Sequence, residues 1–308
     1  ASLPGFFVGM TVYAGFQALG DTKTPMMVWL WANVANIVLD PLLIFGWLGL
    51  PRLGVAGAAI ATVATQTAGL AVMFVIFRRR GLLTLGGRLR WATARAIFGI
   101  GGAAGLQGVT RPLTGMLLFG IVTGFGTEAT AAFGIGLRLL ALMYIYLGGL
   151  ASAGQTLVGQ SLGQGRPELA WRVGQRVSWL AFGIQGAALP FLFFLAPQLV
   201  RAFNSDPAVV HYGVDYLRVL APLLVMVGLS TGWDSAMRGA GDTTPVMVAA
   251  LVANWAVKIP AALLLARWLG LNGVWLGIGL SLVVETALLG GSYFRRGWLR
   301  KEVRWEAA

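Results

Sequence analysis

The chain reads as an all-α, polytopic helical membrane protein, and three observations predict that class. Of its 308 residues, 57% are hydrophobic and 11% charged, against roughly 25% charged in an ordinary soluble domain. Its apolar residues come in runs of the length a helix needs to cross a bilayer, about 17–25 residues. Its basic residues gather at the ends of those runs, mostly on one side. With a mean hydropathy of +0.76 and 44 glycines, too little polar surface remains to coat a soluble particle. The strict alternation of a membrane barrel is absent, so the runs are read as helices.

Nine runs qualify: 3–20, 26–46, 54–77, 96–126, 129–150, 177–200, 208–233, 245–266 and 271–294. The third and sixth contain no charge at all. Sixteen of the 23 Lys and Arg fall on the side reached after the first run, among them Lys23, Arg78, Arg79, Arg80, Arg166, Arg172, Arg176, Arg238 and the tail from Arg295 to Lys301. Arg52, Arg201 and Arg267 fall on the other side, and Arg111, Arg138, Arg218 and Lys258 lie within runs. The positive-inside rule then makes the basic side cytoplasmic, with the C-terminus inside and the protein in the plasma (inner) membrane. The same placement explains the net charge of +12 without nucleic acid, which needs basic and aromatic residues on one folded face. The basic clusters set topology and meet anionic lipid.

Cysteine is absent and His211 is the sole histidine, so no disulfide, thiolate metal site, cofactor or enzymatic cluster is expected. No Gly-Lys pair occurs, hence no phosphate-binding loop of the usual ATPase kind.

An internal repeat organises the chain. Gly20-Asp21-Thr22-Lys23-Thr24-Pro25 returns as Gly241-Asp242-Thr243-Thr244-Pro245. Each copy precedes a run with paired polar residues, then a leucine-glycine turn and a small-residue run, Leu53-Gly54-Val55-Ala56-Gly57 and Leu271-Asn272-Gly273-Val274-Trp275. The loops have a local account: Gly ends a helix, Thr caps the next and Pro suits its first turn. Their role is read as structural, through Gly20, Asp21, Pro25, Gly241, Asp242 and Pro245. The second copy has a longer lead of runs before it than the first. By symmetry three spans are missing at the front, giving twelve in two six-helix halves. The expected partition is a three-helix portion over 1–80, a basic cytoplasmic linker over 81–95, a six-helix lobe over 96–294 and a basic cytoplasmic tail over 295–308.

These residues carry a resemblance. The Gly20–Pro25 loop, Asn36-Ile37-Val38-Leu39-Asp40-Pro41-Leu42-Leu43-Ile44-Phe45-Gly46, and Gly54-Val55-Ala56-Gly57-Ala58-Ala59-Ile60-Ala61-Thr62 resemble the multidrug and toxic compound extrusion (MATE) transporters. So do Leu157-Val158-Gly159-Gln160-Ser161-Leu162-Gly163-Gln164-Gly165-Arg166-Pro167-Glu168 and Arg238-Gly239-Ala240-Gly241-Asp242-Thr243. The resemblance spans the chain from what would be the family's fourth helix, about nine of its twelve. It implies a two-lobe transporter, monomeric at full length. Such a transporter exports small organic, often cationic, compounds in exchange for H⁺ or, less in keeping with this sequence, Na⁺.

Ionisable groups inside spans are costly and mark candidate sites. Asp40 leads. It lies four residues after Asn36, on one helical face, and the resemblance makes this pair, with Thr62 on the next run, the ion-coupling group. The alternative for Asp40 is a fixed hydrogen bond near the outer end of its span, beside Pro41. Asn33, Gln66, Asn254 and Lys258 are candidates to line a substrate cavity. Amides also serve as interhelical glue, and Lys258 can instead snorkel to the outer interface. Asp234 and Arg238, at i,i+4, are read as an ion pair. Arg111 and Arg138 are expected to face each other across an outer turn, and by the resemblance Arg111 stands where some Na⁺-using members carry Glu. Glu285 has no evident partner in sequence. Two other readings stay open: a lipid-linked oligosaccharide flippase of the same superfamily, which calls for a more basic cavity, and an inactive transporter fragment.

Overall fold

The computed structural model describes residues 3–49, 51–82 and 91–300. Among these every regular element is helical. The chain divides into two compact units, Ala1–Arg88 and Leu89–Ala308.

The first unit holds α1 (Leu3–Ala18), α2 (Lys23–Phe45) and α3 (Val55–Arg79). α2 and α3 form an antiparallel hairpin. Gly46 ends α2 in the left-handed region, φ 75°, and returns its N–H to the Leu42 carbonyl. Leu53 and Gly54 then donate back to the Leu43 and Ile44 carbonyls. Gly57 lies so close to the end of α2 that a Cβ there would stand 2.4 Å from the Leu43 carbonyl oxygen. α1 runs parallel to α3, with Gly9 against Leu70 and Gly15 against the Phe77 ring. Val12, Phe16 and Met73 fill the small core of this unit.

The turn from α1 to α2 corrects the expected cap. Thr22 makes no side-chain cap bond. Asp21 does the work instead: its carboxylate accepts the Thr24 backbone N–H at 2.9 Å and the Thr24 hydroxyl at 2.6 Å. Arg80, at the end of α3, donates to the same carboxylate at 2.5 Å and to the Thr24 hydroxyl at 3.1 Å. The Thr24 hydroxyl and amide, followed by Arg80, hold the Asp21 carboxyl well below its usual range, at about 2. A charged carboxylate is the better acceptor at a helix N-terminus, where it also meets the helix dipole.

The second unit holds α4 (Trp91–Thr123), α5 (Thr127–Gly163), α6 (Pro167–Phe194), the short α7 (Ala196–Arg201), α8 (Pro207–Gly239), α9 (Thr243–Leu251), α10 (Ile259–Leu269) and α11 (Leu271–Phe294). α9 passes into α10 through a π-helical stretch, Val252–Lys258. Of the expected linker over 81–95, residues 83–90 lie outside the described residues, and 91–95 already belong to α4. The basic tail beyond 300 also lies outside them. The run expected over 177–200 straddles two helices. α6 starts ten residues earlier, at Pro167, and stops at Phe194. Pro197, in the first turn of α7, begins a new helix there because its ring cannot continue the old one.

Seven helical stretches among the described residues are long and apolar enough to cross a membrane. The other two of the nine expected are α1, which has 16 residues, and α4, which is diluted by Arg95, Gln107, Arg111 and seven glycines.

In the second unit α8 is buried along its length and α5, α6 and α11 pack around it. Glycine permits the closest approaches. Gly228 meets the Ala181 carbonyl, Gly232 the backbone of Gly174 and Ser178, and Gly239 the Gln155 carbonyl. Aromatic clusters close the two ends. Phe133, Tyr216 and Trp275 meet at centroid distances of 4.8–5.8 Å. At the other end Trp171 stacks on Tyr293 at 4.5 Å, Trp298 stacks beside them, and Arg296 caps the Trp171 face.

The repeat seen in sequence is a repeat of backbone geometry. Gly20 and Gly241 have φ of 79° and 74°. Each donates three residues back, to Gln17 and Arg238, while the aspartate that follows donates five back, to Phe16 and Met237. This is one helix-ending motif used twice. The turns before α3 and α11 match as closely: Gly54 has φ 56°, ψ −130° and Gly270 has φ 60°, ψ −139°. Gly273 repeats Gly57, with a would-be Cβ 2.1 Å from the Leu265 carbonyl oxygen.

Two outcomes follow. Gly273→Ala costs about 1–3 kcal/mol, the usual penalty of overpacking, and lowers the melting temperature in detergent. Gly291→Ala, whose Cβ meets open space, leaves it unchanged or raises it. Asp21 is held below its unfolded value of about 3.9, so its contribution is whole above that pH and disappears as pH falls through about 2. Asp21→Asn therefore melts earlier than the parent at pH 7, and the gap closes on acidification to that pH.

Candidate functional site

In the first unit Asn36 and Asp40 meet as their spacing requires. The Asn36 amide donates to Asp40 Oδ1 at 3.3 Å along one face of α2, and both residues are half-buried. Thr62 is placed near them in level. Gly57 packs on Leu43 and Gly69 on Ala32, and that antiparallel register sets Thr62 close to the height of Asp40. Its hydroxyl is bonded to the Ala58 carbonyl of its own helix, at 2.9 Å. Asn33 likewise donates to the Trp29 carbonyl, at 2.8 Å, and is exposed, as is Gln66. These two share a unit with Asp40 but are not joined to it by any hydrogen bond among the described residues.

The second unit holds a larger polar cluster inside its spans. Asn254, 1% exposed, sits in the π-helical stretch, where its amide donates to the Ala250 carbonyl. Its carbonyl oxygen accepts from Lys258 and, at 3.4 Å, from the buried Thr114 hydroxyl of α4. Lys258 therefore turns inward to an amide and does not only snorkel outward. One turn away on α4, Arg111 donates to Glu285 of α11 at 2.5 Å. Glu285 is the less exposed partner, its side chain 12% accessible against 55% for Arg111. Deeper along α4, the buried Gln107 accepts from Arg238, which pairs with Asp234 at 2.8 Å.

Two expectations are corrected here. Arg111 is paired with Glu285 and does not stand against Arg138. Arg138 lines a small hollow with Ala131, Gly134, Phe203 and Asn204. Glu285 has a partner, 174 residues away in sequence, a separation that no local pattern reveals. The Asp234–Arg238 pair forms at i,i+4 as read.

A sequence signal was available for one relation. Asn36 and Asp40 map onto Asn254 and Lys258 at an offset of 218, between the 221 of Gly20 to Gly241 and the 216 of Gly54 to Gly270. Each half thus carries Asn-x-x-x-ionisable on its second repeated span, with the amide bonded to the ionisable group in both. The first half has an acid there and the second a base. Among the described residues no three His, Cys, Asp or Glu are grouped to hold a metal.

Helices of spanning length, a duplicated backbone plan and ionisable side chains held within the spans define a polytopic membrane protein of the transporter kind. The MatE family model matches residues 104–264. A probable multidrug resistance protein NorM of Thermotoga maritima is 30% identical over 311 residues, covering 96% of this chain and 67% of its own length. A FAD transporter of Shewanella oneidensis is 31% identical over 235 residues, 73% of this chain and 51% of its own. The Vibrio cholerae MATE transporter VcmN in its bent form superposes with a TM-score of 0.85 at 22% identity, covering 96% of this chain and 67% of that one. An outward-facing MATE transporter superposes at 0.87 and 23%, over 98% and 69%. The chain belongs to the MATE family, whose members are membrane transporters and not enzymes. It spans about two thirds of the length of several of these relatives.

The Arg111–Glu285 pair gives a thermodynamic test. Glu285→Gln and Arg111→Gln each destabilise the chain, and the double variant recovers part of the loss. The cycle is expected to show a coupling of about 0.5–3 kcal/mol. Strict additivity of the two melts rules out the pair.

Proposed function

We propose that this chain works as part of a secondary active exporter that moves small organic compounds out of the cell in exchange for H⁺. The observation that carries the reading is the Asn36–Asp40 hydrogen bond within a spanning helix. Acids inside spans mark ion pathways. An acid held by a neutral amide keeps a partner in both protonation states, since the Asn amide donates to the carboxylate and accepts from the carboxylic acid. Asp40 is the proton carrier, Asn36 positions it, and Thr62 contributes a hydroxyl at the same level. The two lobes of the complete transporter expose this group to alternate sides. Arg111 and Glu285 occupy each other in the second half, which disfavours a Na⁺ site there and supports H⁺ over Na⁺.

The basic turns face the cytoplasm in this reading, with the C-terminus inside. Asn33, Gln66, Asn254 and Lys258 contribute to the walls that substrates meet, and anionic lipid surrounds the basic rim. The names of the relatives support export as the broad activity. One of them, the FAD transporter, points to a scaffold whose substrates extend beyond drugs.

Asp40→Asn is expected to abolish dye efflux driven by an imposed pH gradient in membrane vesicles. Efflux at the parent's rate in that variant removes Asp40 from the coupling mechanism.

A further inference from the structure

The geometry points to an anion-receiving subsite in the second unit, offered by Lys258 and Arg111 and backed by the buried Asn254 and Thr114, that takes the carboxylate or phosphate of an amphiphilic substrate. The inference rests on the reading of the chain as an exporter of organic compounds and names a substrate class for it.

The charges in this unit do not balance. Arg238 has Asp234 and Arg111 has Glu285. Lys258 has no carboxylate within ion-pairing distance among the described residues, and its hydrogen-bond partner is the neutral Asn254. The charged groups whose fields reach it are Glu285 and Arg111, which already satisfy each other. A cation inside a span with only a neutral partner is costly. An incoming anion would offset the charge that Lys258 leaves uncompensated.

The shape suits that role. Asn254 and Thr114 are buried, and their hydrogen bonds to each other, to Ala250 and to Lys258 fix the ammonium from behind. Lys258 is half-buried and Arg111 more than half exposed, on two neighbouring elements, the π-helical stretch and α4, that the Thr114–Asn254 hydrogen bond ties together. A guanidinium offers a planar fork and an ammonium a point charge, a combination that serves either acid group. The π-helical winding, frequent at functional sites, carries both Asn254 and Lys258.

The test uses the protein in phosphatidylcholine nanodiscs, with binding of carboxyfluorescein and of ethidium followed by fluorescence anisotropy and no ion gradient. Lys258→Gln is expected to weaken carboxyfluorescein about tenfold or more relative to ethidium, the scale for removing one partner of a desolvated charge pair. Lys258→Arg restores the anionic dye. Should Lys258→Gln fail to fold, raising salt on the unmodified protein provides the second arm: carboxyfluorescein affinity falls and ethidium affinity does not. Adding phosphatidylglycerol separates the sources. Competition that depends on Lys258 assigns the anion to a lipid headgroup, and no competition assigns it to a free organic acid. Carboxyfluorescein binding that is indifferent to both Lys258→Gln and salt overturns the subsite. The efflux reading is judged separately, by Asp40→Asn under a pH gradient.

Discussion

Close backbone approach at glycine is the constraint on which this architecture depends. In a bilayer the leucines and valines that make a helix apolar do not hold it to its neighbour, because lipid solvates them equally well. What remains is van der Waals contact between surfaces that come near enough. Gly57 on Leu43, Gly273 on Leu265 and Gly277 on Ala262 bring helices to backbone contact in both units, and Gly228, Gly232 and Gly239 do the same along α8. Where glycine is spent on contact, aromatic clusters such as Phe133–Tyr216–Trp275 can fill the wider ends. The polar groups inside the spans are then held by a frame that they did not have to build.

That frame was largely legible in the sequence. The positions of the spans follow from apolar length, and the turns at Gly20 and Gly241 follow from composition alone. Errors arose where two local rules compete. Thr22 and Asp21 are both capping residues, and Arg80, distant in sequence, favours the carboxylate. The charge-free run over 177–200 hides a break because Pro197 and Pro190 are both apolar and only one of them ends a helix. The site was less legible. Asp40 and Asn36 lie on one face of one helix, so i,i+4 spacing was enough. Arg111 with Glu285, and Thr114 with Asn254, join residues 174 and 140 apart, and tertiary packing alone decides such pairs.

The duplication is a duplication of backbone more than of chemistry. Both halves keep the glycine turns, the closing glycine contact and an asparagine bonded to the residue four places on. They differ in the sign of that residue. A duplicated scaffold therefore supplies two equivalent places for an ionisable group. The π-helical stretch in the second half is the one conspicuous backbone difference at this position.

The two kinds of turn leave different room for sequence change over time. Gly20, Gly81, Gly165 and Gly241 sit in the left-handed helical region, which asparagine and occasionally other residues adopt. Arg296, with φ 56° after α11, already shows a non-glycine there. Gly54 and Gly270, with ψ near −130° to −139°, occupy a region that is essentially closed to any residue bearing a Cβ. The first set of turns is thus free to drift during descent, whereas the second is pinned to one amino acid. Loop variation should therefore collect at the first set of positions and spare the second.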